Sequence, residues 1–485
     1  MQLPFPWLTS RRRREVLLFL TGHNLILLNY VLIRQLTASL ADLETAALLM
    51  GLAYFSGVSL GYLRPERLTA ARMVRLLPLF LAAQLALIAL GPLLAHALLR
   101  HAGETAAYAV VFALTTLGST SLYAVLLPNA IGDEVESLPR LYSADILGSL
   151  AGILGLVALS QIGPVAVHAA YLAAILAIAA LLGIRGPLLA GLCAMAAGFL
   201  VAYDGIDRRV AEAIYRDEIN DGRPVRVIAS RTSPYQKIEV LEAEGRGRLL
   251  VLDGRLQFDP AWHGDYSYFV AEYPARLLGQ PDVCVLGCGS MSTVGRIGET
   301  AASIHIVDLD EGVFETSRAY FGEHNRLAEI APRWSFEADD AKHFLATSAR
   351  TFDLILDDIP PARTRQIALT YTREFFGLVR ARLRPRGIFS MPTLVPVTSR
   401  QSAYGRRLLA TMAAVFERVV VLTVNGSSYC FGLGTGLSLD EETVRGAIEH
   451  PDAASVRVLM PDEVRARVAG VPVITMDNLA SLMRE

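Results

Sequence analysis

The sequence predicts two unlike parts: a multispan α-helical membrane domain and, behind it, a Rossmann-like α/β domain with a small N-terminal β unit. Three observations predict this. The 485-residue chain is 53% hydrophobic and only 19% charged, whereas a soluble domain is nearer a quarter charged. The apolar excess is confined to residues 1–204. Beyond them, short β-rich runs alternate with helical patterns, and three of the runs end in acids. So apolar a chain is not disordered, and a net charge of −2 provides no basic field for nucleic acid.

A bilayer-spanning helix needs about 20 apolar residues. Seven candidates stand at 16–37, 44–63, 74–99, 106–128, 141–162, 166–184 and 187–203, the last being the shortest. No small-residue cleavage site follows the first, so it reads as a span and not as a removed signal. Gly51, Ser56, Gly57 and Gly61 in the second run, and Gly148, Gly152 and Gly155 in the fifth, allow helices to approach closely. His23, Asn24, Asn29, Arg34, Asp145 and His168 are polar groups inside the runs. Such groups are functional candidates in lipid, although snorkelling or mutual pairing accounts equally for Arg34 and Asp145 near span ends. Arg11–Arg14 precede the first run, and Arg64, Arg67, Arg72 and Arg75 separate the second from the third. The positive-inside rule therefore places the N-terminus in the cytoplasm. Seven spans would put the rest of the chain outside; six or eight would keep it inside.

Residues 205–275 form the small β unit, with strands at Val225–Ile228, Lys237–Val240 and Leu249–Leu252 and a hairpin turn at Asp253-Gly254. Residues 276–485 form the α/β domain. Its first strand, Val283–Leu286, runs into Gly287-Cys288-Gly289-Ser290 and a short helix near Thr293–Ile297. The second strand, Ile304–Val307, ends at Asp308. A glycine turn lets backbone N–H groups approach a ligand, and an acid about 20 residues on can accept from ribose hydroxyls. Ser292 stands where a dinucleotide fingerprint has its third glycine. That favours an adenosyl ligand without pyrophosphate, as in class I methyltransferase-type domains. Trp334–Ala338 ends in Asp339-Asp340, Phe352–Leu356 ends in Asp357-Asp358, and Gly387–Met391 follows a helix at Thr372–Leu383. In open α/β sheets ligands bind outside the carboxyl ends of the strands, so these acids converge on one crevice. A helix N-cap or solvated loop explains any one pair; it explains three together less well.

Carboxylates at such a site can hold a sulfonium and a cationic amine, and can take the amine's proton. Alignment for in-line displacement supplies the rest. The four cysteines, Cys193, Cys284, Cys288 and Cys430, form no C-x-x-C pair, and no H-E-x-x-H occurs, so no metal ligand set is expected.

Ser233-Pro234-Tyr235-Gln236-Lys237-Ile238-Glu239-Val240, with Leu252–Gln257, resembles the N-terminal β region of spermidine synthases. Thr372–Phe376 and Arg384–Ile388 resemble that family's later helix and strand. The likeness covers roughly 225–435, and a multispan region fused to such a domain resembles membrane-bound bacterial polyamine aminopropyltransferases. The resemblance implies decarboxylated S-adenosylmethionine as co-substrate, an amine or polyamine acceptor, no prosthetic group, a homodimer, contact with membrane lipid, and a multi-pass protein of the bacterial inner membrane with its soluble domain in the cytoplasm. By position it implies that Asp358 deprotonates the amine, with Asp357 a close rival. Asp308 would bind ribose, Asp340, beside Asp339, would contact adenine, and Gln236, Gln257 and Tyr266 would line the site with Gly287, Gly289 and Ser290.

The departures lie on the amine side. The family's G-G-G-D-G-G is Gly287-Cys288-Gly289-Ser290-Met291-Ser292, so Ser290 replaces an ammonium-binding aspartate. Its Tyr-His/Gln-Glu run is Tyr266-Ser267-Tyr268, and Ile359-Pro360-Pro361 lacks the second aspartate. Each lost charge-assisted contact is worth about 1.5–3 kcal/mol, roughly ten- to a hundredfold in binding. Three readings follow: aminopropyl transfer to an amine; methyl transfer from ordinary S-adenosylmethionine, which the loss of the acid at 290 favours; and a non-enzymatic transporter or sensor for an adenosyl or polyamine ligand.

Overall fold

Apolar runs with few charges satisfy their backbone polar groups internally as helices. The computed structural model describes residues 11–37, 43–63, 70–120, 123–124, 126, 138–361, 365–393, 397 and 403–479. The chain divides into two compact units, Met1–Gly245 with Leu252–Arg255, and Arg246–Val251 with Leu256–Glu485.

The first unit carries α1 (Arg11–Thr37), α2 (Leu43–Leu63), α3 (Ala70–Ala102), α4 (Glu104–Thr115), α5 (Leu138–Ile162), α6 (Pro164–Leu181) and α7 (Gly186–Glu218). Among the described residues, five of the seven expected spans are long and apolar enough to cross a membrane by length and composition: α1, α3 from Val74, α5, α6 and α7. The run at 106–128 is helical through 120 among the described residues. α4 gives way to a π turn at Thr116–Thr120, around Gly118 and Ser119, and most of 121–128 lies outside the described residues, as do Arg64 and Arg67. The run at 187–203, expected to be the shortest, belongs to a continuous 33-residue helix that passes the expected boundary near 205. The apolar run stops at Tyr203, but the helical period does not: Tyr203, Val210, Ala211, Ile214 and Tyr215 are all buried.

Leu17, Leu28, Ile88, Tyr171 and Ile175 lie in the core of this unit. α5 turns Leu150, Ile153, Leu154, Val157 and Ile162 outward, 49–76% exposed. The glycines of α5 do bring helices together. A Cβ on Gly148 would lie 1.9 Å from the Phe19 carbonyl oxygen, and one on Gly152 2.9 Å from that of His23. From α1, a Cβ on Gly22 would lie 2.1 Å from the Asp145 carbonyl oxygen. Gly51 of α2 faces open space instead. Asn24 donates to the Tyr123 hydroxyl at 2.8 Å, and Arg34 donates to the carbonyls of Tyr235 and Ser233 at 3.2 and 3.4 Å. Arg34 is thus bound to backbone and not to Asp145.

The charged end of α7 seats on a hairpin of β1 (Val225–Thr232) and β2 (Lys237–Ala243), which pair antiparallel. Asp207 accepts from Lys237 Nζ at 2.8 Å, Glu212 accepts from the Val227 N–H at 2.9 Å, and Tyr215 donates to the buried Glu239. β3 (Gly247–Leu252) and β4 (Arg255–Phe258) follow. Asp253 and Gly254 between them both have positive φ, 44° and 76°, as a two-residue hairpin turn requires.

The second unit is built on β5 (Asp282–Leu286), β6 (Ser303–Asp308), β7 (Trp334–Ala338), β8 (Phe352–Asp357), β9 (Leu383–Thr393), β10 (Val419–Val424), β11 (Ser427–Leu433) and β12 (Arg457–Leu459). They form one sheet in the order β12-β10-β11-β9-β8-β5-β6-β7. β9-β8-β5-β6-β7 are parallel, and β10, β11 and β12 add antiparallel pairs. Val283–Leu286 and Leu354–Leu356 are buried, as central parallel strands covered on both faces are. From β5 the chain winds first through β6 and β7, then returns to β8 on the other side of β5. The carboxyl ends of β5, β6 and β8 therefore meet where the winding reverses, the place where such sheets bind ligands.

Candidate active site

β5 ends at Leu286, and the chain must turn at once beneath the neighbouring end of β8. Gly287 makes that turn at φ 86°; a Cβ there would stand 2.7 Å from the Asp358 carbonyl oxygen. Gly289 has φ 42° and Met291, capping the helix Ser292–Ile297, has φ 63°. The turn is tied on both sides, by Gly287 N–H to the Val307 carbonyl at 2.8 Å and by Asp358 N–H to that of Leu286 at 2.9 Å. Asn325 donates to the Ser290 carbonyl at 2.7 Å. The Ser290 hydroxyl is buried and has no hydrogen-bond partner among the described residues.

Asp308 sits at the end of β6. Its Oδ2 accepts from the Cys288 N–H at 2.7 Å and its Oδ1 from the Asp310 N–H at 2.8 Å. Burial raises its proton affinity, and the two N–H groups oppose that. The acid thus holds the glycine turn in place and keeps a lone pair on each oxygen for a ligand hydroxyl. Asp339 and Asp340 end β7. Asp339 accepts from His343 at 2.8 Å, which raises the imidazole's proton affinity. Asp340 is the N-cap of the helix Ala341–Thr347, accepting from the His343 N–H at 3.0 Å.

At the end of β8 the two acids have opposite surroundings. Asp358 accepts from the Tyr266 hydroxyl at 2.7 Å on Oδ1 and from the Thr293 hydroxyl at 2.7 Å on Oδ2. Burial pushes its pKa up to about 6, against the two hydroxyls, which pull it down. Asp357 is 0% exposed. Its Oδ1 accepts from the Ile359 N–H at 3.2 Å, and its Oδ2 meets no partner among the described residues. Burial, with the Asp358 charge behind it, pushes Asp357 up to about 8. At neutral pH the pair is one neutral acid beside one carboxylate. Tyr371 buttresses the segment beyond, donating to the carbonyls of Ile359 and Pro360 at 3.1 and 3.0 Å.

Tyr266 comes from the helix Pro260–Ser267, which Asp259 caps and Pro260 begins. One turn earlier, His263 packs on it at a tilt of 40°, with ring centroids 4.8 Å apart. His263 is buried, and burial pushes its pKa down to about 3, so it is neutral. Gln257 is half-buried on β4 in this unit, whereas Gln236 precedes β2 in the first. The structure thus brings together Tyr266, Gly287, Gly289, Ser290, Asp308, Asp357 and Asp358. It adds Thr293, His263 and Tyr371, which the sequence reading did not single out. Thr293 alone had a signal: it opens the helix after the glycine turn, where a first-turn hydroxyl points back at the site.

Residues 270–434 match the family described as spermine/spermidine synthase domain. This part of the chain is spermidine synthase-like. The chain is 30% identical over 200 residues to the polyamine aminopropyltransferase of Aeropyrum pernix, covering 40% of this chain and 62% of that one. It is 28% identical over 230 residues to polyamine aminopropyltransferase 2 of Hyperthermus butylicus, covering 45% and 74%. With the enzyme of a Synechococcus strain it shares 26% over 288 residues, covering 52% and 90%. The crystal structure of spermidine synthase from Thermotoga maritima aligns over 51% of this chain and 89% of that one, at 20% identity and a TM-score of 0.41. The family match at 270–434 lies beyond α1–α7.

Proposed function

We propose that the protein is a membrane-anchored aminopropyltransferase. It moves an aminopropyl group from decarboxylated S-adenosylmethionine to an amine and releases methylthioadenosine. The observation that carries this is Asp358: a carboxylate at the sheet's reversal point, held by Tyr266 and Thr293 and with a pKa near 6. A base is most useful when its pKa lies near the working pH. In the reaction the amine lone pair displaces the thioether from the aminopropyl carbon, and Asp358 receives the amine's proton. Asp357 is the poorer base, sealed from solvent and protonated at neutral pH. Asp308 and the glycine turn would hold the nucleoside; Asp340 and Gln257 would lie along it. Gln236 would add a polar wall, and two copies of the chain would pair.

Methyl transfer from ordinary S-adenosylmethionine is the second reading, favoured by one feature: Ser290, neutral and with a hydroxyl that has no partner among the described residues, would not repel a methionine carboxylate. The membrane part would anchor the enzyme through α1, α3, α5, α6 and α7, with Arg11–Arg14 and the catalytic unit both on the cytoplasmic side. A reporter fused after Glu485 tests that side. Detergent-purified protein given both nucleosides and an amine pool tests the chemistry. Methylthioadenosine together with an aminopropylated amine supports the proposal, and S-adenosylhomocysteine would transfer it to the methyltransferases.

A further inference from the structure

The Tyr266 hydroxyl reaches Asp358 across 2.7 Å, and a displacement of about 1 Å would end that hydrogen bond. Tyr266 stands on the helix Pro260–Ser267. The first turn of that helix is fixed by the Asp259 cap and by the pairing of Asp259 with Arg246. The other end does not stop. It winds on into a π turn at Tyr268–Glu272, a geometry found mostly as single turns and often at functional sites. The end that carries Tyr266 therefore needs a hold of its own.

The tail of the chain provides it. The Tyr268 hydroxyl accepts from the Glu449 N–H at 2.6 Å, and the Tyr273 hydroxyl donates to the Val444 carbonyl at 3.0 Å. Arg276 pairs with Glu449. The His450 ring packs on Tyr268 and on Phe269, with centroids 4.9 Å apart in each case. Its two nitrogens differ. Nδ1 accepts from the Asp452 N–H at 3.2 Å, so the proton sits on Nε2. Nε2 stands 3.3 Å from Asp265 Oδ1. Asn425 donates to Asp265 at 3.4 Å and to Asp452 at 2.9 Å, tying the same two acids together. Asp265 is the residue before Tyr266. Its side chain is 48% exposed against 10% for His450, and so exposed a contact adds little to stability. Placement is what it can provide. Asp265 and His450 both lie outside 270–434, the stretch that matches the family, so the match assigns neither a role.

We propose that His450 is a positioning residue for aminopropyl transfer: by holding Asp265 it fixes the end of the helix Pro260–Ser267 and keeps the Tyr266 hydroxyl on Asp358. This rests on the reading of Asp358 as the base and adds a residue that acts on it at one remove, through Tyr266.

The test is methylthioadenosine release against pH by the full-length protein, with decarboxylated S-adenosylmethionine and 1,4-diaminobutane. His450→Ala should move the acid limb of kcat/KM upward by roughly one to two units, as loss of the Tyr266 hydrogen bond does. It should lower kcat/KM at pH 7 by about two- to tenfold, with nearly all of it recovered at pH 9.5. Asp265→Ala, a truncation at an exposed side chain, should do the same. His450→Gln should keep the wild-type limb, because its amide oxygen can accept from the Asp452 N–H while its amide nitrogen donates to Asp265. In Tyr266→Phe protein, adding His450→Ala should move the limb no further. A loss equal at all pH values in both His450→Ala and Asp265→Ala, or a limb that moves further in the double variant, overturns the inference and makes the tail a support of the fold alone. A limb moved by Tyr266→Phe but by neither alanine variant also overturns the inference, and leaves Asp358 standing as the base. A limb that Tyr266→Phe leaves in place removes the reading of Asp358 as a base held by Tyr266, and the inference with it.

Discussion

Replacing Tyr266 with Phe removes one hydroxyl and leaves the ring that packs against His263. The lost bond is 2.7 Å long and its acceptor is ionised. A hydrogen bond to a charged group contributes about 1.5–3 kcal/mol, and one pKa unit corresponds to about 1.4 kcal/mol. Because the bond favours the charged form, its loss raises the acid's pKa, by roughly one to two units. Starting from about 6, the acid limb of kcat/KM should then move to roughly 7–8. A base with a pKa of 6 is about 90% ionised at pH 7, and one at 7–8 is roughly 50% down to 9% ionised. The variant should therefore lose about two- to tenfold at pH 7 and recover nearly all of it at pH 9.5. The assay is methylthioadenosine release against pH for both proteins, with the same amine, so that the amine's own titration cancels. An acid limb that stays put, or a loss equal at all pH values, would refute the reasoning that Tyr266 acts through the Asp358 charge.

Asp358→Asn should lower kcat by roughly 10²–10⁴, the usual contribution of a general base, with methylthioadenosine binding unchanged by calorimetry, since Asp308 and the glycine turn are untouched. Asp357→Asn should flatten a pH dependence of stability. Asp357 is raised to about 8 when folded, so its stabilisation is present below its unfolded pKa near 4 and is lost by about 1.4 kcal/mol per unit as pH rises towards 8. Denaturant unfolding of the two proteins at pH 5, 7 and 9 should show their difference growing with pH, the Asn variant, neutral throughout, becoming the more stable. Gly148→Leu should separate α1 from α5, because even a Cβ there would lie 1.9 Å from the Phe19 carbonyl oxygen. Overpacking costs about 1–3 kcal/mol or more, readable as a lower Tm in detergent with no effect predicted for Gly51→Leu.

Much of the site could be read in the sequence because its parts are tied to strand ends. The glycine turn after β5, the acid closing β6 and the paired acids closing β8 are fixed by local pattern, so parallel winding brings them together without further information. Which acid of the pair is free was not local. Asp357 and Asp358 differ through what packs on each side, and Tyr266 and Thr293 reach Asp358 from distant parts of the chain. His263 stayed hidden for the same reason, since one histidine in a short helix has no sequence mark of the rings around it. Asp340 also caps the helix that follows β7. The β10–β11 hairpin did carry a signal in Asn425-Gly426, both at positive φ, where the reading placed no strands. In the apolar part, length and composition located the helices, but the interruption at Thr116–Thr120 and the run of α7 past Tyr203 depended on packing and charge contacts.

The 33 residues of α7 make a continuous rod, about 50 Å from end to end at 1.5 Å per residue. Its far end grips the β1–β2 hairpin through Asp207, Glu212 and Tyr215, one residue away from Gln236. That makes α7 a lever: a tilt of about ten degrees at Gly186 swings Glu218 by roughly 9 Å. Any tilt imposed near Gly186 would therefore be delivered to the hairpin as displacement, magnified along the rod.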